Sequence, residues 1–507
     1  MAQDDVNVSY QLARLDSASD CSTNKDDSVR GGCAVDIGKD IGSPFVLIKT
    51  KSRDDDGHVR RTGNVWTASA HVITAVIGSG VLSLAWSIAQ IGWVAGPLIL
   101  LAFAFVTYYT ALLLANCYRY PDPVTGRRNY TYMEAVKAHL GEKHVWLCGI
   151  VQYVNLIGTS IGYTITSSIS MVAIARSNCF HKHGHDAKCH TSHNPYTLLF
   201  GAVQIVLSQI PDFNRLWWLS IVAAVMSFSY SSVGLGLAIG KASEKGHSHG
   251  TLTGVSLEVI SKEKKTWSVF QALGNIAFAY SFTVILIEIQ DTLKSPPAEN
   301  KTMKRASLIG IVVTTLFYMS VGCFGYAAFG DTAPGNMLTG FGFYNPYWLV
   351  DFANACIVVH LVGAYQVFTQ PVFAFSENWM MSRWSKHAFV TYEQKVPMPF
   401  QRPFKLSVFK VIWRTLFVIT TTVVSMLIPF FNDVLGLLGA TAFWPLTVYF
   451  PITMHISQNQ LKRWSSKWIA LQCLSCICLL ISLSAGIGSM AGIIIDLKRY
   501  TPFKTQY

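Results

Sequence analysis

A chain of 507 residues that is 51% hydrophobic and only 13% charged is composed for lipid rather than water, because soluble domains carry about 25% charged residues. Its net charge of +12 sits in loops between apolar runs, which excludes a nucleic-acid footprint. P-loop, HExxH and strand-borne nucleophile-elbow motifs are missing, so no enzyme and no cofactor are expected.

In chain order, residues 1–62 come first. They are polar and rich in Asp and Ser, without the short apolar core near Met1 that a cleavable leader needs. They are expected to form a disordered cytoplasmic tail. Eleven apolar spans follow, at about 66–90, 93–117, 145–175, 195–210, 216–240, 267–290, 305–328, 346–376, 411–428, 432–456 and 467–495. About 20 apolar residues cross a bilayer as a helix, so the expected fold class is an all-α integral membrane protein.

Span 1 contains Thr67–Gln90, TASAHVITAVIGSGVLSLAWSIAQ, with Gly78, Ser79 and Gly80 at its middle. Each glycine costs a helix roughly 1 kcal/mol relative to Ala. A break there would strand backbone N–H and C=O groups that hydrocarbon cannot satisfy, unless they face a cavity and a ligand. Free N–H groups opening the second half-helix would favour an anion such as a carboxylate. A small-residue packing face is the other reading of the same glycines.

Further along, the polar loop 176–194 holds five histidines with Cys179 and Cys189. It reads as an outer loop closed by a Cys179–Cys189 disulfide in an oxidising compartment, its histidines solvated. A metal-binding loop is the competing reading. Cys473 and Cys476 form a CxxC inside an apolar span, where zinc or redox chemistry has little meaning. No metal site is expected.

With the tail inside, an odd number of spans places Tyr507 outside. Loops 118–144 and 377–410, which carry five and six Lys and Arg, then fall on the inner side, as the positive-inside rule requires. The sequons at Asn7, Asn129 and Asn300 also fall inside. The worst fit is the outer loop 241–266, which carries five Lys.

A repeat lies beneath the spans. Span 6 is interrupted at Phe278-Ala279-Tyr280-Ser281, about 200 residues after the break in span 1, and the long spans 3 and 8 share that offset. Five spans per unit invert the second copy. Residues 63–240 then form the first repeat, 241–266 an outer loop and 267–456 the second repeat. Residues 457–507 supply an extra helix and the outer tail. Paired interrupted helices in inverted halves are the best sequence pointer to a transporter site at the midplane.

Specific blocks carry a family resemblance. Thr67–Gln90 with the following Gly92-Trp93-Val94-Ala95-Gly96-Pro97 resembles the plant amino acid permeases. So do Tyr280-Ser281-Phe282, Ile287–Thr292, Asp351–Ala355 and Phe443–Pro451. The likeness runs from about residue 60 to the C-terminus. That family lies in the amino acid/auxin permease group of the APC superfamily. The resemblance implies a LeuT-like fold of eleven transmembrane helices, with helices 1 and 6 discontinuous. It also implies proton-coupled uptake of neutral, often also acidic, amino acids across the plasma membrane. Auxin, basic amino acids, or a sensor that binds without transport are the alternatives.

An amino acid presents a carboxylate, an ammonium and a side chain. Amides around Gly78, Ser79, Gly80 and Val81 suit the carboxylate. Carbonyls around Thr74 and Ala75, and around Phe278, Ala279 and Ser281, suit the ammonium, since no Asp or Glu lies at mid-depth in spans 1–6. Tyr153, Asn155 and Tyr280 are candidates for the side-chain pocket, or else packing residues. Ionisable groups inside a membrane mark functional sites by default. Histidine titrates nearest neutrality, so His71, two turns before Gly78, and His360, near the centre of span 8, are the candidate proton carriers. Neutral structural histidines are the other reading. Glu288 and Asp291 close span 6 at the inner face. For the inner gate, Arg60 or Arg61 is expected to pair with Glu377, under Trp66. The expected partners are thus an amino acid, protons and the bilayer.

Overall fold

The computed structural model describes residues 60–498 with 54, 56, 57 and 500, apart from 185–186, 188, 190, 211–216, 245–249, 257–259, 342–345, 386, 388, 390–391 and 397–403. Nearly all of the expected tail, the Asn7 sequon and Tyr507 lie outside the described residues.

The architecture is helical. α1 (Val65–Val76) begins with a reciprocal cap in which the Asn64 side chain accepts from the Thr67 amide and Thr67 bonds back to the Asn64 backbone. A 3₁₀ turn, Ser79–Ser83, then leads into α2 (Leu84–Ile91). α3 (Ala95–Asn116) ends at a two-stranded hairpin of β1 (Arg119–Tyr120) and β2 (Arg127–Arg128). The short α4 (Tyr132–Leu140) precedes α5 (Glu142–His183), α6 (Asn194–Ser208) and α7 (Trp217–Glu244). α8 (Lys262–Ala279) and α9 (Leu286–Gln290) flank a second irregular stretch containing the 3₁₀ turn Thr283–Ile285. α10 (Glu299–Phe329) and α11 (Tyr347–Arg383) follow, then β3 (Glu393–Val396) paired with β4 (Phe404–Ser407). α12 (Val408–Leu427), α13 (Phe431–Ala442), a π segment (Phe443–Tyr449), α14 (Phe450–Gln458) and α15 (Ser466–Leu497) complete the chain.

Among the described residues, nine helices are long and apolar enough to cross a membrane, or ten if α1 and the segment Ser79–Ile91 are one span bent by 47°. The remaining expected span, 195–210, is α6, whose 15 residues fall short of the roughly 20 that a crossing needs. Two spans exceed their apolar runs. α5 has 42 residues and α11 has 37, because both helices continue with polar residues past the hydrocarbon, where hydropathy is blind. The C-terminal end of α5 meets the N-terminal end of α11: His181 stacks on Tyr347 at 3.8 Å, and Cys179 is bonded to Cys189.

The most buried spans are Lys262–Gln290 and Phe431–Gln458. α8 is wedged among α2, α13 and α15, while α10 backs α1, α2, α3 and α7. Glycines allow this closeness. A Cβ on Gly310 of α10 would sit 2.5 Å from Val72 of α1, and one on Gly274 of α8 2.4 Å from the Gly436 carbonyl of α13.

Candidate functional site

Span 1 breaks where its glycines stand. The Ile77 amide still reaches the Ile73 carbonyl, but the Gly78 N–H turns to Val76 O at 2.9 Å. The Thr74 carbonyl thereby loses the donor that a continuous helix supplies. The first N–H groups of the following 3₁₀ turn, at Ser79 and Gly80, have no intrahelical acceptor. Nothing lies within 4 Å of where a Gly78 Cβ would be, so the backbone opens onto free space here.

The interruption in the later span lies directly against it. A Cβ on Gly80 would be 3.1 Å from Ala279 Cα, 3.2 Å from Ala279 Cβ and 3.3 Å from Phe278 Cδ1. The two irregular segments touch because residue 80 has no side chain. Tyr318 on α10 locks them together. Its fully buried hydroxyl bonds the Val76 carbonyl, which ends α1, and lies 3.2 Å from the Ala279 carbonyl, which ends α8. Sequence reasoning missed Tyr318, since nothing distinguishes it from the other aromatics of its span.

The expected substrate residues divide in two. Gly78, Thr74, Phe278, Ser281 and Tyr153 are half-buried and Ala75 is exposed, while Ser79, Gly80 and Val81 are buried just behind the opening. Tyr280 points away, donating to Thr315 Oγ1 at 3.3 Å, and the Ala279 carbonyl is held by Tyr318. Neither has its polar group free for a ligand. The Ser281 hydroxyl donates to the Ala277 carbonyl at 2.7 Å. Tyr153 stacks on Phe375 of α11 at 4.4 Å, and Asn155 is buried.

The two histidines are in different places. His71 is exposed, on the face of α1 that includes Thr67, Thr74, Ala75 and Gly78. His360 is buried, and its Nδ1 lies 2.7 Å from the Ala223 carbonyl of α7. A carbonyl only accepts, so Nδ1 carries the proton in that bond. α1 packs on α10 and α9, whereas the helix of His360 packs on α5 and α7.

The ion pairs at the entry of α1 and the C-terminal end of α11 also differ from expectation. Arg61 does not reach Glu377. A parallel bridge, with Gly63 N–H to Thr292 O at 3.0 Å and Lys294 N–H to Gly63 O at 2.9 Å, stitches the entry of α1 to the chain leaving α9. That seam sets Arg61 beside Asp291, with Nη2 2.7 Å from Oδ1 and Nε 2.5 Å from the carbonyl. Asp56 at 2.8 Å and Asp54 at 3.1 Å complete the cluster. Burial opposes the Arg61 charge, but Asp56 and Asp291 more than offset it and hold its pKa above the ordinary value. The Tyr118 hydroxyl donates to Asp291 at 2.8 Å, and burial together with that charge pushes its pKa up. Nearby, Arg119 and Arg128 both bind Glu299, at 2.7 and 2.9 Å. Glu377 instead pairs with Arg414 of α12 at 2.6 Å, because α12 lies against the C-terminal half of α11, where Trp413 also bonds Ser376 and Phe417 meets Phe373. Arg60 is exposed, and Trp66 is 73% exposed and caps no such pair.

Among the described residues, no group of three His, Cys, Asp or Glu side chains is placed to hold a metal ion; His185 and His190 of the loop 176–194 lie outside them.

Residues 61–495 match the family model described as "Transmembrane amino acid transporter protein". The chain belongs to this family. Its relatives include Amino acid permease 3 of Arabidopsis thaliana, 60% identical over 474 residues, which cover 94% of this chain and 98% of that one. Amino acid permease 6 of the same plant is 59% identical over 457 residues, 90% of this chain and 95% of that one. Members of the family bear the names of permeases, carriers rather than enzymes. Among solved structures, that of MhsT in complex with L-phenylalanine aligns with a TM-score of 0.50 at 10% identity, covering 85% of this chain and 100% of that one. At that identity the likeness speaks for the fold alone, a multi-helix transporter architecture of the LeuT type.

Proposed function

We propose that this protein is a proton-coupled amino acid symporter that imports neutral and acidic amino acids across the plasma membrane by alternating access. One observation carries the reading: two interrupted helices meet at Gly80 and Ala279, beside open space at Gly78. Such a junction offers amides for a carboxylate and carbonyls for an ammonium. Thr74, Ala75, Gly78, Ser79, Gly80 and Val81 would hold the backbone of the substrate, with Phe278 and Ser281 opposite. The family and the permease names support amino acids as the substrate class. Eleven crossings, with α6 as the fourth, put the N-terminus inside and Tyr507 outside; a C-terminal tag stained on intact cells tests this.

The Arg61–Asp291 cluster is the inner closure in this reading, since opening inward must part α1 from the exit of α9. His71, exposed on the face leading to the break, and His360, tied to α7, are the proposed proton carriers.

Purified protein in liposomes tests the function. An inside-alkaline gradient should drive accumulation of labelled alanine and glutamate without sodium. Accumulation that needs a sodium gradient and ignores the proton gradient would overturn the coupling. Binding without flux would make the protein a sensor.

A further inference from the structure

Three helices close around a carboxyl group that the substrate junction does not use. Asp433, in the first turn of α13, is 6% exposed, and its Oδ1 accepts from Nε2 of Gln271 on α8 at 2.9 Å. α15 presents Gly492 to the same carboxyl. A Cβ there would fall 1.8 Å from Asp433 Oδ1 and 3.6 Å from Gln271 Oε1, so only glycine lets α15 approach. One turn deeper the same helices repeat the pattern. A Cβ on Gly436 of α13 would meet Ser489 Oγ of α15 at 2.4 Å and Asn275 Oδ1 of α8 at 3.2 Å. Asn275 and Ser489 are both 0% exposed, and the Ser489 hydroxyl and both amide atoms of Asn275 have no hydrogen-bond partner among the described residues.

Charge explains what this cluster lacks. Among the described residues no cation pairs with Asp433, and the charged group that acts on it is Asp496 of α15, itself negative. From α5, the other helix packed on α13, the facing residues are Gly158 and Gly162 against Leu438 and Val434. α8 contributes Gln271 and Asn275. None of these titrates. A buried carboxylate without a counter-charge is costly, whereas a protonated one gains an O–H donor. Asn275 Oδ1 and Ser489 Oγ are acceptors without a donor, one turn away.

We propose that Asp433 is a proton-binding residue of the transport cycle, in a site built by α8, α13 and α15. The inference rests on the proton-coupled reading above and adds a carrier to it beyond the two histidines. Gln271, Asn275 and Ala279 follow at four-residue intervals on α8, so the helix face at Asp433 runs down to the carbonyl beside Tyr318. Protonation at Asp433 changes how α8 packs on α13 and α15, and through α8 it reaches the junction. The carboxyl takes its proton from the outer side, where α13 begins.

Two measurements on the full chain test this. In proteoliposomes, wild-type uptake should fall about tenfold as external pH rises from about 5.5 to about 7.5, while Asp433→Asn should vary less than about twofold and accumulate no substrate. Asp433→Glu should keep a pH dependence with a shifted midpoint. The second measurement needs no variant. Dicyclohexylcarbodiimide, a lipid-soluble reagent for protonated carboxyls, should modify Asp433 of the wild type at about pH 6 and several-fold less at about pH 8. An Asp433→Asn protein with the wild-type pH profile, or an Asp433 left unmodified at both pH values, overturns the proposal. Wild-type uptake that ignores pH would instead bring down proton coupling as a whole. If Asp433→Asn does not reach the membrane, the labelling decides alone.

Discussion

Tyr318→Phe removes one hydroxyl and leaves the ring that fills the space between α1, α8 and α10. The hydroxyl carries a single proton shared between the Val76 and Ala279 carbonyls, so the loss is one hydrogen bond and one buried carbonyl left unsatisfied. That is worth about 1–3 kcal/mol. Since about 1.4 kcal/mol is tenfold, the aligned junction should be disfavoured by roughly 5- to 150-fold. If the substrate binds only the aligned junction, its apparent affinity falls by the same factor. The assay is substrate binding to purified protein, measured beside Tyr280→Phe. The Tyr280 hydroxyl bonds Thr315 at 3.3 Å, away from the junction, and its removal should weaken binding less than about threefold. Equal affinities for wild type and a folded Tyr318→Phe would refute the keystone role of Tyr318.

Other substitutions follow from the same geometry. Arg61→Ala leaves the buried Asp291 without its cation, while Asp56 keeps Arg128 at 3.2 Å, a loss of about 3–5 kcal/mol; the inner side should open, exposing a cysteine placed at Thr74 to inner-side reagents, and an Arg61→Asp, Asp291→Arg swap should restore part of the protection. Failure of both the exposure and the rescue would remove that cluster as the closure. Gly80→Ala puts a Cβ within 3.3 Å of Ala279 and Phe278 and should weaken uptake, with Gly80→Val abolishing it in protein still at the surface; normal uptake by Gly80→Val would mean that the junction is loose. His71→Asn should flatten the response of uptake to external pH while the protein reaches the membrane, and an unchanged profile would make His71 structural.

Much of the fold was legible because bilayers impose a simple grammar. Apolar runs gave the helices, and of the two readings of Gly78, Ser79 and Gly80, an interruption or a packing face, the structure has the interruption, with Gly80 also packed on Ala279. Contacts between distant segments were not legible. The expected Arg–Glu377 pair failed because charge and proximity to the inner face do not say which loop lies beside which. The Gly63–Leu293 seam and the path of α12, invisible in composition, decide that Arg61 meets Asp291 and Glu377 meets Arg414. Polar helix extensions hid the true ends of α5 and α11 in the same way. Tyr280, by its place in the interruption a pocket candidate or else a packing residue, sends its hydroxyl to Thr315 of α10, a contact no local pattern reveals. Asp433 was swallowed by an apolar run, which is how a single buried acid disappears from a hydropathy reading.

In the proposed cycle amino acid and proton move together past the junction of the two interrupted helices. The most direct measurement is the current evoked by an amino acid in a voltage-clamped cell, with external pH and external sodium varied independently. An inward current that grows as external pH falls, persists in sodium-free medium and is lost in Gly80→Val is the predicted result. A current that requires sodium and ignores pH, or substrate uptake with no current and no pH response, would contradict it.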